Sequence, residues 1–396
     1  MINYRQLFLS HLAQTSDAPL LLEVVRAAGV KLYKPDGSYC IDVISGISVS
    51  NLGHCHEKVV SAIKQQADLY AHLMVYGEVI QAPQLQLANL LLSLLPSKYD
   101  NVYFVNSGSE AVEAALKLAK RATGRFEIIS CMNAYHGSST GALSVMGSES
   151  FKNAFRPLLP GIKHIEYNSI PDLELITNKT ACVIIEPIQG EAGIVVPDNA
   201  YLQKLRLKCD EQGVILIFDE IQTGFGRTGR LFGYEHSGVL PDVFLFAKAL
   251  GAGLPLGAVV GPKVLMNSFS NNPVLGHITT FGGNPLCCAA SYAMLKELTD
   301  NKSIIASVPE KEVYIRTNLK HPLIKQIKGV GLFLAVVLDK KINLYKLIFE
   351  ILNEGVLIDF FLFNDNCLRL APPLIITEEE VAEAIAIILR VLDRHM

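Results

Sequence analysis

Short apolar runs alternate along most of the chain with longer segments whose apolar residues recur at helical spacing. Such runs are typical of strands buried on both faces, as in a parallel sheet. The runs that predict strands are 102–105, 127–131, 182–185, 214–218, 243–246 and 258–260. The segments that predict helices in the same part of the chain are 57–67, 84–95, 110–122 and 201–212. This order predicts an α/β fold with a doubly wound, mostly parallel sheet and a ligand crevice at the carboxyl ends of its strands.

The pattern changes after Pro285 and there predicts a smaller C-terminal α+β domain. Its predicted elements are helices at 286–298 and 344–353, strands at 330–338 and 356–361, and a last helix that starts at Thr377 with Glu380 completing its capping box. Near the amino terminus, the segments 29–33 and 39–43 predict a short strand pair. We therefore predict an N-terminal arm at 1–50 packed beside the small domain, a large domain at 51–290 and the small domain at 291–396.

Composition narrows the class of protein. The chain has 396 residues, of which 50% are hydrophobic and 18% charged, and its mean hydropathy is +0.31. This is apolar for a monomer and predicts a surface buried between subunits. A net charge of −3 gives no electrostatic case for binding nucleic acid or an anionic membrane. The longest uncharged segment, 264–295, is interrupted by two prolines and a glycine pair, so we do not expect it to span a membrane. Eight cysteines without regular spacing argue against a disulfide framework and favour a cytoplasmic enzyme.

An aspartate and a lysine follow two of the predicted strands. Asp219 comes directly after the run 214–218, and Lys248 comes shortly after the run 243–246. Because the carboxyl ends of parallel strands meet at one edge, we expect both side chains at the ligand crevice. A buried salt bridge is the structural explanation, but burying two charges is costly. We favour pyridoxal phosphate, with Lys248 holding its aldehyde as a Schiff base and Asp219 keeping its ring nitrogen protonated.

A second candidate feature joins the strand 102–105 to the helix 110–122. Ser107 and Glu110 have the spacing of a capping box. The free amides of a helix N-terminus at this place are suited to holding a phosphate. Many α/β helices begin in the same way without a ligand, so this segment alone leaves anion binding and plain capping equally open.

Other polar residues have structural explanations. His54 and His56 flank a cysteine, as in some metal sites, but no second cluster of ligands accompanies them, so we predict a loop and no metal. Arg227 and Arg230 lie in a glycine-rich loop, and we interpret them as solvated charges. His136 is explained as well by a structural role as by a catalytic one, and we assign it no role.

Seven motifs spread over nearly the whole chain resemble those of class III aminotransferases, the fold-type I pyridoxal-phosphate enzymes related to ornithine and acetylornithine aminotransferases. In chain order they are LGHCH at 52–56, NSGSEA at 106–111, EPIQGEAG at 186–193, FDEIQTGFGRTG at 218–229, AKALG at 247–251, TTFGGNP at 279–285 and RLAPP at 369–373. The resemblance implies the pyridoxal-phosphate transferase fold, pyridoxal 5'-phosphate as the cofactor, and a homodimer with active sites at the subunit interface.

The resemblance also implies roles around the cofactor ring. Lys248 is the Schiff-base lysine and later carries the proton, so burial and the cationic ring should lower its pKa. Asp219 pairs with the ring nitrogen, because an opposite charge favours the protonated form. Gln222 faces the ring hydroxyl. Tyr135 stacks on the ring, although core packing with a bonded hydroxyl is its structural alternative.

At the other end of the cofactor, the resemblance implies that Gly108 and Ser109 bind the phosphate through the N-terminus of their helix. Thr280 is implied to reach the phosphate of the neighbouring subunit. This last role makes the dimer part of the predicted active site.

For the substrates, the resemblance implies that Arg369 clamps a carboxylate and that Glu191 pairs with this arginine to regulate it. The planar fork of an arginine meets a carboxylate with two parallel hydrogen bonds. An ordinary structural ion pair is the alternative explanation of these two residues. We expect side chains near Tyr76, Ser138 and Thr279 to line the donor pocket.

Ser138 departs from the family pattern. In the ornithine, acetylornithine and 4-aminobutyrate enzymes, the Tyr/Phe-His-Gly motif is usually followed by an arginine that holds the far carboxylate of the donor, and Ser138 takes its place here. A neutral hydroxyl cannot supply a bidentate cation, and losing such a contact removes ~2–5 kcal/mol of binding. The sequence therefore predicts a different primary-amine or ω-amino donor.

The predicted function is a ping-pong transfer of an amino group from this donor to a 2-oxo acid, 2-oxoglutarate being the expected acceptor. One alternative is acetylornithine or ornithine aminotransferase proper. A second is a pyridoxal-phosphate aminomutase, epimerase or decarboxylase; Arg369 counts against the glutamate-semialdehyde aminomutases, which generally lack that arginine. A third is a non-catalytic binding protein, against which the presence of both Lys248 and Asp219 argues.

Overall fold

The computed structural model describes residues 3–75 and 77–396. Within these ranges the strands, in chain order, are β1 Arg26–Ala28, β2 Lys31–Tyr33, β3 Tyr39–Asp42, β4 Asn101–Val105, β5 Glu127–Cys131, β6 Ile162–Ile165, β7 Thr180–Ile185, β8 Ile215–Asp219, β9 Val243–Phe246, β10 Gly257–Gly261, β11 Ile324–Val330, β12 Phe333–Leu338, β13 Val356–Leu357, β14 Asp359–Phe361 and β15 Asn364–Leu370.

The longer helices of the same ranges are Tyr4–His11, Glu57–Leu69, Ala82–Ser93, Gly108–Thr123, Asn199–Gln212, Pro285–Asp300, Val308–Asn318, Leu344–Asn353 and Glu378–Asp393. Short α-helical turns are Thr140–Ser144, Lys263–Met266 and Ser303–Ala306. Each helix predicted from the sequence is present with its ends shifted by a few residues at most. The helix Tyr4–His11 was not predicted, and it has no buried residue.

Seven of the described strands form the central sheet, in the order β4-β10-β9-β8-β7-β5-β6. The strands from β9 to β6 in this order are parallel, whereas β10 is antiparallel to both of its neighbours. The predicted α/β fold with a mostly parallel, doubly wound sheet is therefore confirmed. The loops that follow β5, β7, β8 and β9 all leave the same edge of the sheet, where ligands bind in such folds.

Burial of the central sheet on both faces explains the apolar runs. In β8, the side chains of Leu216 and Phe218 belong to the larger hydrophobic cluster, and Ile217 between them belongs to the second. The helix Gly108–Thr123 supplies several alanines to this second cluster. Because neither face of β8 meets water, its first four residues are apolar, and Asp219 stands where the strand reaches the crevice edge.

The carboxyl-terminal part contains an antiparallel sheet in the order β11-β12-β15-β14. The single strand predicted at 330–338 is wrong at its start, because Val330 ends β11 and a turn at Gly331 precedes β12. The segment of β11 reads IKQIKGV and lacks the apolar run that signals a buried strand. The predicted strand 356–361 is in fact two strands, since β13 pairs with β3 and β14 pairs with β15.

The last helix begins as the sequence predicts. Thr377 Oγ1 accepts a hydrogen bond from the amide of Glu380 at 3.2 Å, and Glu380 Oε2 accepts one from the amide of Thr377 at 3.1 Å. This reciprocal capping box is confirmed, and it satisfies two amides that the first turn of a helix would otherwise leave free.

The segment that precedes the large domain contacts the carboxyl-terminal part. β3 pairs in parallel with β13, so that Ile41 lies beside Val356. The amide of Ala371 also donates to the carbonyl of Val43 at 2.7 Å. These contacts join the two ends of the chain, while the limits of the three predicted units stay predictions.

The prediction that Arg227 is a solvated charge is wrong. Its side chain is fully buried, and its guanidinium donates to the carbonyl of Leu332 at 2.9 Å and to Ser45 Oγ at 3.0 Å. Burial lowers the pKa of Arg227 to about 9, against the opposing charge of Asp42. Arg227 thus fastens the loop after β8 to both ends of the chain, whereas Arg230 is exposed.

The turn Ser45–Ser48 is strained. All four of its residues have φ between 45° and 64°, a region that is costly for a β-branched residue such as Ile47. The carboxylate of Asp42 holds the entry to the turn by accepting two backbone amides at 2.8 and 2.7 Å. The next residue, Val49, lines the cavity described below.

All eight cysteines are free thiols, and seven of them are buried. In the described part of the chain there is no group of three His, Cys, Asp or Glu side chains placed to hold a metal ion. Within residues 3–75 and 77–396, no helix has both the length and the apolar character that crossing a bilayer requires.

Candidate active site

A cavity of about 420 Å³ opens at the edge of the sheet where the parallel strands end. Its lining comes from the residues that follow β4, β5, β7, β8 and β9, together with the segment that leads into β10. The structure brings together here six of the residues predicted from the sequence: Gly108, Ser109, Tyr135, Asp219, Gln222 and Lys248.

Lys248 begins the short 3-10 turn Lys248–Gly251 that follows β9. Its φ is 49°, a left-handed conformation that is uncommon outside glycine. Burial lowers the pKa of Lys248 to about 8, an effect that Glu191 opposes and Arg369 assists. At mildly alkaline pH, Lys248 is therefore a neutral amine in a substantial share of the molecules. This is the form that attacks an aldehyde or accepts a proton.

Asp219 ends β8 and is 4% exposed. Its Oδ1 accepts the amide of Ile221 at 3.0 Å, and its Oδ2 lies 2.7 Å from His136 Nδ1. Burial disfavours a charge on His136, but the hydrogen bond to Asp219 and its negative charge outweigh this and raise the pKa of the imidazole. The aspartate is thus held in place as a hydrogen-bond acceptor at the cavity wall.

His136 is a site residue that the sequence analysis missed. It is 2% exposed and lines the cavity, and its Nε2 has no hydrogen-bond partner within the described residues. The available signal was its position in the loop after β5, which leaves the same sheet edge as the loop after Asp219. Sequence spacing alone does not show that these two side chains meet.

The N-terminus of the helix Gly108–Thr123 faces the cavity. Ser107 Oγ caps it by accepting the amide of Glu110 at 3.2 Å. The predicted capping box is only half correct, because the carboxylate of Glu110 accepts the amide of Asn106 at 2.9 Å and not that of Ser107. The first amides of a helix have no acceptor within the helix. The start of this helix is therefore a suitable anion site.

Two glycines keep the walls of this anion site close together. A Cβ added to Gly108 would lie 2.9 Å from Cδ1 of Ile221, and a Cβ added to Gly137 would collide with Ser109 Oγ. Gly137 also has a φ of 126°, which an L side chain rarely adopts. These positions explain why the motifs around 108 and 137 carry glycine.

Tyr135 lines the cavity, and its hydroxyl lies 3.2 Å from Ser138 Oγ. The amide of Ser138 donates to Ser109 Oγ at 3.2 Å, while the side chain of Ser138 is exposed. One residue further on, Ser139 Oγ donates to the carboxylate of Glu113 at 2.7 Å. These bonds place Ser138 beside both Tyr135 and the anion site.

Glu186 directly follows β7 and was assigned no role from the sequence. Its carboxyl accepts the amide of Tyr135 at 3.3 Å and that of Gly190 at 2.7 Å. Burial raises the pKa of Glu186 to about 7, against the opposing charge of His136. The residue joins the loop that carries Tyr135 to the loop that carries Glu191.

Glu191 and Arg369 form a buried ion pair next to the cavity. Each is 2% exposed, and two parallel contacts join them, Nη1 to Oε1 at 2.9 Å and Nη2 to Oε2 at 2.8 Å. Burial opposes both charges, but their mutual attraction outweighs it, lowering the pKa of Glu191 and raising the pKa of Arg369. Gln222 links the pair to the cavity, since its amide contacts Glu191 at 3.1 Å and Arg369 at 3.3 Å.

The structure does not place Thr279 and Thr280 in the cavity of their own chain. Thr279 Oγ1 accepts the side-chain amide of Asn106 at 2.9 Å and lines a second cavity of about 410 Å³. Thr280 is exposed. Tyr76, which was predicted near the donor pocket, lies outside the described residues.

The residues of the first cavity fit pyridoxal phosphate. A buried carboxylate for the ring nitrogen, an amine for the aldehyde and a helix N-terminus for the phosphate lie around one space. Glycines at 108 and 137 leave no side chain where the backbone must approach a phosphate closely. The fold and this cavity define a pyridoxal-phosphate-dependent transferase of fold type I.

Comparison with known families makes the class more specific. Residues 12–392 match the model of the family described as aminotransferase class-III. The chain therefore belongs to the class III aminotransferases, and it is a transaminase with pyridoxal 5'-phosphate as its cofactor. The non-catalytic alternative is thereby excluded.

Individual relatives carry narrower names. The acetylornithine aminotransferase of Methanocaldococcus jannaschii is 40% identical over 387 residues, which cover 94% of this chain and 93% of the relative. Ornithine aminotransferase 1 of Staphylococcus aureus is 37% identical, with 93% and 94% covered. Among solved structures, the ornithine aminotransferase of Toxoplasma gondii superposes with a TM-score of 0.91 at 30% identity, covering 99% of this chain and 96% of that chain. An amine transaminase from an uncultivated Pseudomonas species gives a TM-score of 0.88 at 27% identity, with 97% and 98% covered.

Proposed function

We propose that this aminotransferase moves the amino group of a primary-amine or ω-amino donor to 2-oxoglutarate by a ping-pong mechanism. The observation that carries the proposal is the buried pair of Arg369 and Glu191 beside the cofactor cavity. In a ping-pong reaction one site must accept an amine and then a dicarboxylate. An arginine covered by a carboxylate that can be displaced is suited to both substrates.

Lys248 and Asp219 would act on the cofactor and the reacting atoms, and His136 would hold Asp219 in place. Pyridoxal phosphate supplies the electron sink for the carbon that loses its proton. Lys248 would hold the cofactor's aldehyde, and its free Nζ would take the proton from the carbon that bears the nitrogen. Asp219, held by its 2.7 Å contact with His136, keeps the ring nitrogen protonated.

Four further residues would hold the cofactor. The amides at Gly108 and Ser109 bind its phosphate at the helix N-terminus. Tyr135 stacks on the ring, and its hydroxyl contact with Ser138 keeps it in place. Gln222 faces the ring hydroxyl. Its side-chain amide also contacts Arg369, so it links the cofactor to the arginine.

Arg369 would bind the carboxylate of the acceptor with the two terminal nitrogens that Glu191 now occupies. Glu191 leaves when a carboxylate arrives and returns when an amine without one binds. This exchange keeps a buried guanidinium paired in both half-reactions, since breaking such a pair costs about 3–5 kcal/mol.

For the donor, we propose a substrate without the far carboxylate of ornithine-type donors. The exposed Ser138 stands where an arginine would hold that group, and its hydroxyl is neutral. Acetylornithine is the main alternative donor, because relatives that cover most of this chain carry its name. Thr279 lies outside the cavity of its own chain, and its bond to Asn106, which lines that cavity, is what supports a place near the donor.

We also propose that the active form is a homodimer. Large apolar side chains are exposed in two segments that contact each other through His72 and Phe281, whose rings are 5.0 Å apart. The exposed members of these segments are Leu69, Leu73, Met74, Val79, Ile80, Leu85, Val274, Leu275, Ile278 and Phe281. Such a face is typical of a subunit interface. Thr280 lies within it and would reach the phosphate of the partner subunit's cofactor.

A spectroscopic screen tests the function. Candidate amines are added one at a time to the holoenzyme without an acceptor, and the absorbance of the cofactor is followed until it converts to the amine form. Adding 2-oxoglutarate should then restore the original spectrum and yield glutamate in stoichiometric amount. An aminomutase or epimerase would instead give an isomer of the substrate and no free oxo product.

A further inference from the structure

Arg369 has a second carboxylate neighbour that the proposed mechanism does not use. Asp359 on β14 lies directly opposite Arg369 on β15 in the register of the antiparallel pair. Its Oδ1 is 3.1 Å from Arg369 Nε. Both atoms are buried, and neither has an aligned hydrogen-bond partner within the described residues. The contact is therefore electrostatic.

The two carboxylates occupy different sides of the guanidinium. Glu191 covers Nη1 and Nη2, the edge that a substrate carboxylate needs, and it comes from the loop after β7. Asp359 faces Nε and is tied to the arginine by strand pairing. The carbonyl of Phe360 accepts Nη2 at 3.0 Å, and the ring of Phe361 lies 4.5 Å from Cζ. Of the two carboxylate contacts, that of Glu191 can open without disturbing the pairing of β14 with β15, and that of Asp359 cannot.

We propose that Asp359 is a positioning residue that stays paired with Arg369 while Glu191 leaves and the carboxylate of the acceptor arrives. The inference rests on the proposed role of Arg369 as the carboxylate clamp. A buried guanidinium released from its only counter-ion would be strongly disfavoured. With Asp359 in place, Arg369 keeps one negative partner throughout the exchange.

Repulsion from Asp359 does not cancel this benefit. The carboxylate of the acceptor takes the place of the Glu191 carboxylate, so Asp359 repels the two about equally. Asp359 therefore has two remaining effects: it stabilises Arg369 while Glu191 is displaced, and it fixes the orientation of the guanidinium. Both favour exchange, because a clamp that is already oriented loses less freedom when it binds.

The charge of Asp359 sets the conditions of a test. Burial raises the pKa of Asp359 to about 6, with Arg369 opposing the effect. At pH 8 the carboxylate is therefore ionised. Glutarate, which has both carboxylates of 2-oxoglutarate but no oxo group, serves as an unreactive probe of the clamp.

Binding of glutarate to the holoenzyme is measured by calorimetry at pH 8, beside the Michaelis constant for the acceptor and the rate of the donor half-reaction. Asp359→Asn should weaken the binding of glutarate about tenfold and raise the Michaelis constant for the acceptor by a similar factor. The half-reaction of an amine without a carboxylate should keep its rate. Asp365→Asn is the matched control, because Asp365 carries the same charge at an exposed position of the same strand pair.

Asp359→Glu, which keeps the charge, should recover most of the affinity for glutarate. An equal loss in Asp359→Glu and Asp359→Asn, or an equal loss in the amine half-reaction, would show that packing and not charge is at work and would overturn the proposal. Arg369→Gln distinguishes a failure of the role proposed for Asp359 from a failure of the clamp proposed for Arg369. If Arg369→Gln loses glutarate while Asp359→Asn binds it normally, the clamp stands and the role of Asp359 falls. If both variants bind glutarate normally, the proposed clamp itself is wrong.

Discussion

The carboxylate of Glu191 covers both terminal nitrogens of Arg369, at 2.9 and 2.8 Å, in a part of the protein that water barely reaches. A buried ion pair of this kind contributes little net stability compared with apolar packing. Its position one side chain away from the cofactor cavity, through Gln222, is why we propose a use in catalysis. In the proposed mechanism, the pair makes the arginine available to one substrate and hides it from the other.

Removing the charge of Glu191 tests this use. In Glu191→Gln, the amide can still accept one hydrogen bond from Arg369 but no longer neutralises it. We expect 2-oxoglutarate to react more readily and the amine donor less readily, changing the ratio of the two half-reaction rates about tenfold. Rapid mixing of each substrate with the matching cofactor form measures the two rates separately. An unchanged ratio would show that Glu191 does not exchange with the substrate carboxylate at Arg369.

We propose that Ser138 excludes donors that must be held by their far carboxylate. In Ser138→Arg we expect kcat/KM for N-acetylornithine to rise at least about tenfold, because a guanidinium supplies the bidentate contact that a hydroxyl cannot. Ser138→Ala is the control for loss of the contact with Tyr135 and should not raise this value. Steady-state assays of ornithine and N-acetylornithine with all three proteins provide the comparison. Efficient turnover of either donor by the unaltered enzyme, and a loss in Ser138→Arg, would contradict the proposed donor class.

In the proposed homodimer, the exposed apolar face would connect assembly to cofactor binding. Ile278→Asp places a charge in this face and should shift the protein to monomers, which light scattering detects. If Thr280 reaches the partner subunit's site, Thr280→Val should leave the dimer intact but weaken cofactor retention by roughly tenfold, the loss of one hydrogen bond to a charged group. Dialysis followed by fluorescence of the retained cofactor measures this. A monomeric Ile278→Asp protein with full cofactor affinity would show that each chain binds its cofactor alone.

Glu186 predicts a pH dependence of stability in the cofactor-free protein. The pKa of this buried carboxyl is raised from its ordinary value of 4.5 to about 7, so the folded protein favours the protonated form. The contribution of Glu186 to the free energy of unfolding is therefore fully present below pH 4.5. It is lost as the pH rises to 7, in total about 3 kcal/mol at about 1.4 kcal/mol per pH unit. Glu186→Gln should lack this loss. Denaturant unfolding of both proteins between pH 4.5 and 8 tests this. If the free energy of unfolding depends on pH in the same way in both proteins, a group other than Glu186 is responsible.

The groups that lie at strand ends were predictable from the sequence. Asp219 and Lys248 each follow a strand whose apolar run is unmistakable, and parallel strands in a doubly wound sheet deliver such residues to one edge. Ser107, Gly108 and Ser109 at the start of the helix Gly108–Thr123 are a local signal of the same kind. These signals depend only on short stretches of chain and on the class of fold.

Contacts between distant segments were not predictable in the same way. The bond of His136 to Asp219, the burial of Arg227 and the pairing of Asp359 with Arg369 depend on how separate loops and sheets meet in space. β11 was missed for a different reason: its polar residues lie on a half-exposed strand whose pairing with β12, rather than its own pattern, makes it a strand. Tertiary context decides such cases.

The proposed chemistry requires that Lys248 holds the aldehyde of pyridoxal phosphate and that the carboxylate of Asp219 pairs with its ring nitrogen. Reducing the holoenzyme with borohydride fixes the cofactor to whichever amine holds it, and peptide mass spectrometry then locates it. We expect one phosphopyridoxyl group per chain, on the peptide that contains Lys248, and none in Lys248→Ala. A label on another lysine, or full labelling of Lys248→Ala, would contradict it.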